Sequence, residues 1–300
     1  MPTHFEVKEP TALLPFLLAR MPERSRTAVK SLLANRLVSV NNEFVTHFNH
    51  PLVAGQLVAI HRVGEVQKGP GHGLRIVHED AEVIVVEKPA GLLSMATETG
   101  RDLTAYSLLS EHVKKSDSRN RIFIVHRLDR ETSGLMMFAR SQAAQQALQD
   151  DWQAAVLERS YVAVVEGRVT KPAGSITSWL KEDQSLIMRS SATPNDGQKA
   201  TTHFRVLQSS ARYSLLELSL ETGRKNQIRV QMQDLGHSVI GDSKYGATQN
   251  PLHRLGLHAR VLSFRHPVSG AALRFETPIP LEFLRLLPPE RARRSVSGQG

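Results

Sequence analysis

The chain has 300 residues, 40% of them hydrophobic, and a formal net charge of +9, which is enough for one large core plus a small accessory domain and is not the composition of a disordered or membrane chain. It has no cysteine, which excludes disulfides, Cys-ligated zinc, iron–sulfur clusters and thiol nucleophiles; its 13 histidines form no H-E-x-x-H helix or tight His/carboxylate cluster, so no metal is implied. A pI near 10.0 fits a polyanionic partner, although an acidic small molecule or a membrane surface suits the same number.

Residues 12–19 are apolar, but Pro15 interrupts them and they fall far short of the roughly 20 residues of a membrane span. No basic, apolar and cleavage regions succeed one another at the N-terminus, which points to a cytoplasmic protein. Residues 24–33 place Ala28, Val29, Leu32 and Leu33 at helical spacing, with Asn35 where a left-handed residue can end the helix. Residues 38–45 read as a hairpin turned at Asn41-Asn42, and 51–58 as a closing turn and strand. Gly64, Gly69, Pro70, Gly71 and Gly73 then form a joint after a small module of residues 1–68. It lacks the Lys-Ser/Thr pair of a phosphate loop, and no segment implies a nucleotide cofactor.

Downstream, a strand is expected at 83–86 and a helix at 102–113. Residues 122–125 and 135–139 read as buried strands on either side of a polar turn. Residues 141–158 predict one helix with a Ser N-cap and Ala144, Ala147, Leu148, Trp152, Ala155 and Val156 on one face. Strands are expected at 161–169, 202–207 and 213–220, and a helix at 226–235. Trp152 and Trp179 fit core packing better than base stacking. The irregular alternation predicts an α+β fold for residues 74–289, with a mixed, mainly antiparallel sheet and surrounding helices, beside a small N-terminal α/β module. Residues 290–300 predict a basic, disordered tail.

The polar turn reads His126-Arg127-Leu128-Asp129-Arg130-Glu131-Thr132-Ser133-Gly134. A carboxylate on a loop held between strands is placed as catalytic groups often are, yet spacing by itself favours a surface turn with Asp129 paired to Arg127 or Arg130. The string followed by an apolar strand resembles the signature loop of the RluA-type RNA pseudouridine synthases. Lys88-Pro89-Ala90-Gly91, the strand from Tyr161 to Gly167, Thr222-Gly223-Arg224 leading into Gln227-Ile228-Arg229-Val230, Gly241-Asp242 with Tyr245-Gly246, and Leu257-His258-Ala259 with His266-Pro267 match that family in the same order, over about residues 74–287. Upstream, Ser25-Arg26, Lys30, residues 38–41 and Gly55 resemble an S4-like RNA-binding domain, although Asn35 and Asn42 replace its usual glycines and Gln56 a common Asp.

The resemblance implies cofactor-free isomerisation of uridine, with Asp129 acting at the ribose as nucleophile or base. It implies Arg229 as the partner of Asp129, and Tyr161 as the ring that stacks on a flipped uracil and assists proton removal at C5. Arg127 matches the arginine that enters the helix where the uridine leaves. Lys88 and Arg224 would contact phosphate or structure loops, and Arg26 and Lys30 would contact RNA from the S4-like module. The implied partner is structured RNA, ribosomal RNA ahead of tRNA. Lys225-Asn226 and Gln231 depart from the family's usual Thr/Ser-His and His, and Arg159 is a compatible basic residue two positions before Tyr161. A noncatalytic RNA-binding or ribosome-assembly factor is the alternative, opposed by the intact Asp129, Tyr161 and Arg229. A glycoside hydrolase would need a second carboxylate beside the motif.

Overall fold

A computed structural model describes residues 3–34, 38–41, 43–45, 48–60, 72–96 and 103–287. Asn35, Asn42, most of the Gly-rich joint, Asp102 and the tail from 290 lie outside the described residues. The chain divides into two compact units, Met1–Lys68 and Gly69–Gly300.

In the N-terminal unit, β1 (Thr3–Glu6), β2 (Thr11–Ala12), α1 (Leu13–Arg20), α2 (Arg26–Ala34), β3 (Val38–Val40), β4 (Glu43–Phe44), β5 (Pro51–Leu52) and β6 (Leu57–Ile60) follow in order. Four strands form a sheet of order β1-β6-β3-β4. The expected hairpin is β3 paired with β4, and Asn41 takes φ 49 at its turn. Helix α1 is an addition to the expected elements. Pro15 falls in its first turn, where a missing N–H costs nothing, and the uncapped amides of Leu13 and Leu14 donate to the His50 and Phe48 carbonyls instead. Leu13, Leu17, Val29, Leu33, Val38 and Val58 fill this unit's core.

The larger unit begins with β7 (Arg75–Glu79), β8 (Val83–Lys88), α3 (Ala105–Lys114), β9 (Phe123–Ile124), β10 (Ser133–Ala139), α4 (Gln142–Gln149) and α5 (Trp152–Ala155). It continues through β11 (Val156–Glu166), β12 (Ala173–Glu182), β13 (Met188–Ser191), β14 (Gln198–Ser209), β15 (Tyr213–Leu220), α6 (Gln227–Asp234), β16 (Leu257–Arg265), β17 (Ala272–Glu276) and α7 (Leu281–Arg285). One sheet runs β13-β12-β14-β15-β11-β16-β10-β8-β7, with β17 beside β16 and β9 beside β10. Only β10 and β16 pair in parallel; the other strand pairings in this sheet are antiparallel, which makes the fold α+β with a mixed, mainly antiparallel sheet.

Every residue of β10 is buried, and its period of two feeds two cores. Met136 and Phe138 face a cluster with Ile84, Val86, Ala163, Val165 and Leu216, covered by Leu109 of α3 and Met232 of α6. Leu135 and Met137 face Val83, Val85, Leu262 and Phe264 with Leu148 of α4. Each such side chain contributes about 1.5–3 kcal/mol, so the turn before β10 is anchored on a stiff strand. Gly134 is required where the turn enters the sheet. Its φ is +113, and a Cβ there would come 2.1 Å from the Ala259 carbonyl oxygen on the parallel neighbour.

Two expectations are corrected. The single helix over 141–158 is α4 and then the four-residue α5, because Asp151 caps a new turn by accepting from Ala154 N, and from Val156 the backbone pairs with β16 instead. Sheet pairing by tertiary neighbours overrides the helical pattern. Tyr161 therefore lies in mid-strand and does not open β11. The register with β16 shifts between Ser160 and Tyr161, where Arg260 of β16 is the extra residue.

Candidate active site

Asp129 sits on the turn between β9 and β10, and the turn is held on both sides of it. Ser94 Oγ donates to the Leu128 carbonyl at 2.6 Å and accepts from Leu128 N at 3.1 Å. Gly91 N and Lys88 Nζ donate to the Arg130 carbonyl at 2.9 and 3.0 Å. Lys88 also donates to the Pro89 and Leu92 carbonyls and is 0% exposed, so its three ammonium hydrogens are all used. This corrects the expected phosphate contact. A side chain sealed from solvent reaches no RNA, and Lys88 structures the loop, the other role expected of it. Burial pulls its pKa down to about 7 against the opposing charges of Glu131 and Asp129.

Arg229, in the first turn of α6, donates from Nη1 to Asp129 Oδ2 at 3.1 Å. Its Nε and Nη2 make a two-pronged pair with Asp242 at 2.6 and 2.8 Å, and Nη1 also donates to Asn226 Oδ1. The guanidinium carbon lies 4.9 Å from the Tyr245 ring centroid. The Asp242 side chain is 0% exposed and caps the 3-10 turn Ser243–Tyr245; Asn226 Nδ2 and Met188 N donate to the Tyr245 hydroxyl. Burial alone would lower the pKa of Arg229, but the Asp242 and Asp129 carboxylates outweigh it and hold the value above that of an ordinary arginine. The cage fixes the cation so that one N–H points at Asp129.

The departures from the family pattern serve this arrangement. Asn226 stands at the N-cap position of α6 with φ 55, a left-handed conformation that Asn tolerates, and makes no side-chain bond to the helix amides. Gln231 is 0% exposed, accepts from Thr202 Oγ1 at 2.6 Å and donates to Ser178 Oγ and Ala200 O, docking α6 on β12 and β14.

Arg127, Asp129, Arg159, Tyr161, Arg224 and Arg229 line one open cleft. None of Arg127, Arg159 and Arg224 is in an ion pair with a described carboxylate, although Arg224 Nε donates to the Lys199 carbonyl at 3.2 Å. A Cβ at Gly223 would lie 2.7 Å from Arg159 Nη1, so a side chain there would displace that guanidinium. Burial raises the pKa of the Tyr161 phenol, with Arg159 opposing and Asp129 adding, so it stays protonated at neutral pH. Arg26 and Lys30 lie instead in the N-terminal unit, exposed on α2, with the Lys30 ammonium 5.3 Å from the Phe48 ring centroid. The sequence reading missed the parts of Ser94 and Asp242. Gly241-Asp242 was visible as a matched string, but no local pattern assigned Asp242 to Arg229.

The partly buried His126 and the buried His258 clamp the turn in neutral form. His126 Nε2 accepts from Met137 N, and burial with the nearby Arg159 pulls its pKa to about 3. Arg254 donates to Ser133 Oγ, which leaves the hydroxyl hydrogen for His258 Nδ1; burial with Arg254 and Arg260 pulls His258 to about 4. Both folded values lie below the ordinary 6.5, so the unfolded chain binds more protons as pH falls. Stability present above pH 6.5 is expected to drop by about 2 kcal/mol per histidine by pH 5 and to continue falling toward pH 4 and 3. Urea unfolding at pH 7 and 5 checks this. The His126→Gln/His258→Gln variant should show a shallower pH dependence, and an unaltered slope would refute the assignment.

Residues 82–234 match the RNA pseudouridylate synthase family. The chain is 34% identical over 271 residues to the uncharacterized RNA pseudouridine synthase YhcT of Bacillus subtilis, covering 87% of this chain and 88% of that protein. It is 32% identical over 296 residues to the ribosomal large subunit pseudouridine synthase D of Salmonella typhimurium, covering 92% and 89%. The structure of human RNA pseudouridylate synthase domain containing 1 superposes with a TM-score of 0.56 at 24% identity, over 69% of this chain and 84% of that one, which is agreement in fold. The chain belongs to the RNA pseudouridylate synthase family, in its RluA-type branch, and is a pseudouridine synthase. No helix among the described residues is long and apolar enough to cross a membrane.

Proposed function

We propose that the protein isomerises specific uridines in large-subunit ribosomal RNA, with Asp129 acting at the ribose of a uridine flipped into the cleft. The observation that carries this is the Arg229–Asp129 pair at 3.1 Å, in a cleft that also holds Tyr161. The bond from C1′ to N1 breaks and one from C1′ to C5 forms, so nothing is exchanged with a second molecule. Asp129 serves as nucleophile at C1′ or as base at the sugar, and either role needs the ionised carboxylate that a fixed guanidinium favours. The protonated Tyr161 phenol stacks on the uracil and its hydroxyl assists the loss of the C5 proton, while N1 gains a proton, so the isomerisation balances with no net proton change. Arg127 enters the helix at the vacated position, and Arg224 takes a phosphate. Three guanidiniums without carboxylate partners among the described residues suit a substrate with phosphates on several sides. The name of the Salmonella relative supports ribosomal RNA as the substrate. Mapping pseudouridines in total RNA from cells with and without the protein tests the reading. Loss of specific sites in large-subunit RNA is expected, and loss confined to tRNA would overturn that part.

The N-terminal unit is proposed as the S4-like RNA-binding domain, with Arg26 and Lys30 on phosphates. The Arg26→Gln/Lys30→Gln variant is then expected to flatten the salt dependence of RNA binding by about 0.7–0.9 in slope per contact, at a single-turnover rate close to wild type. A salt series of dissociation constants for both proteins checks it, and an unchanged slope would make this unit a packing element.

A further inference from the structure

A second groove, of about 540 Å³, opens beside the catalytic cleft and shares Arg159 and Leu220 with it. Its lining is mixed, with apolar side chains beside polar and charged ones. Trp152 and Val156 line it with Leu157, whose side chain is left 45% exposed. Trp152 is held by His126, ring centroids 5.4 Å apart, and by the Arg159 guanidinium 5.2 Å from its own centroid, so the platform is rigid before anything binds. Glu158 and Glu221 also line the groove. Glu158 uses its two oxygens on Ser160 and Arg274. Glu221 gives Oε1 to His203 at 2.6 Å, and among the described residues its Oε2 has no partner.

A mixed slot with an indole and aliphatic side chains, a guanidinium shared with the catalytic cleft and an acceptor-only carboxylate in its wall matches a nucleobase on its phosphate. The base packs by its faces, the phosphate meets the cation, and an amino group donates to the carboxylate. Resting on the pseudouridine synthase reading of the cleft, we propose that this groove holds the base of a nucleotide adjoining the target uridine. The base packs on Trp152 and Leu157, Arg159 takes the phosphate between the two nucleotides, and Glu221 reads an amino group. Guanine, adenine or cytosine is thereby favoured over uracil, whose carbonyls would face the carboxylate.

Total cellular RNA from cells lacking the protein locates the uridine, and stem-loop oligoribonucleotides carrying it are then made with each neighbouring base varied or removed. For the wild-type full chain, removing the base on one side is expected to lower kcat/KM about tenfold or more, and uracil there to lower it several-fold against the best amino-bearing base. Glu221→Gln, at an exposed side chain, should erase the preference over uracil while keeping the penalty for base removal. Trp152→Leu should shrink that penalty and Trp152→Phe preserve it. Indifference of the wild type to base removal on both sides would overturn the proposal, as would an unchanged preference in Glu221→Gln. A wild-type protein that converts no uridine in total RNA overturns the underlying reading instead, and this proposal with it.

Discussion

Asp129→Asn is expected to abolish pseudouridine formation, with a single-turnover rate at least about 10⁴-fold below wild type and RNA affinity within a few-fold. The substitution keeps the size of the side chain and a hydrogen-bond acceptor for Arg229, and it removes only the charge proposed to act at the sugar. The fold has reason to survive. Arg229 keeps its two-pronged pair with the buried Asp242, and the turn is held by Ser94, Gly91 and Lys88 through the backbone of Leu128 and Arg130, not through the Asp129 side chain. Rapid-mixing single-turnover assays, with melting curves for both proteins, make the measurement. A near-normal rate would show that another group performs the chemistry.

Asp242→Asn is expected to damage both stability and rate. Asp242 neutralises Arg229 where the Asp242 side chain has no access to water and the Arg229 side chain is 14% exposed. Removing one partner of a buried ion pair costs about 3–5 kcal/mol, because the remaining charge is left with too few acceptors. The guanidinium would then lean on Asp129 and on Asn226, and a shift of about 1 Å in the reacting oxygen can cost about 10²-fold in rate. The single-turnover rate should therefore fall by about that factor while RNA affinity changes little, since Asp242 is sealed from the substrate. Rates measured well below the lowered melting temperature separate the two effects. A variant that melts early but reacts at the wild-type rate would reduce Asp242 to a structural residue.

The sequence by itself determined the strand-turn-strand that carries Asp129. Burial on both faces requires near-continuous apolar residues, and 135–139 show this without any neighbour being known. It likewise determined β15, whose pattern needs only local periodicity, whereas α6, with Ile228, Val230 and Met232 two apart and Gln227 and Gln231 buried, came with the family resemblance. The α+β class followed from the irregular succession of these elements, and the family from strings such as HRLDRETSG. Spacing alone would have made Arg229 an ordinary helix-surface residue; the resemblance, not physics, paired it with a carboxylate 100 residues away.

Tertiary structure decided the rest. Pairing with β16 converted residues 156–158 from helix to strand, with Leu157 as a bulge, because backbone groups follow whichever partner saturates them. Lys88 looks like a surface cation in sequence, and only the folding of three carbonyls around its ammonium buries it. Asp242 became the anchor of Arg229 through the return of the chain from α6 to the 3-10 turn, a contact between side chains that no period encodes. Local periodicity reports which face of an element is dry. Which charge meets which across the fold is set by long-range packing, and in this protein that packing holds the arginine that faces Asp129.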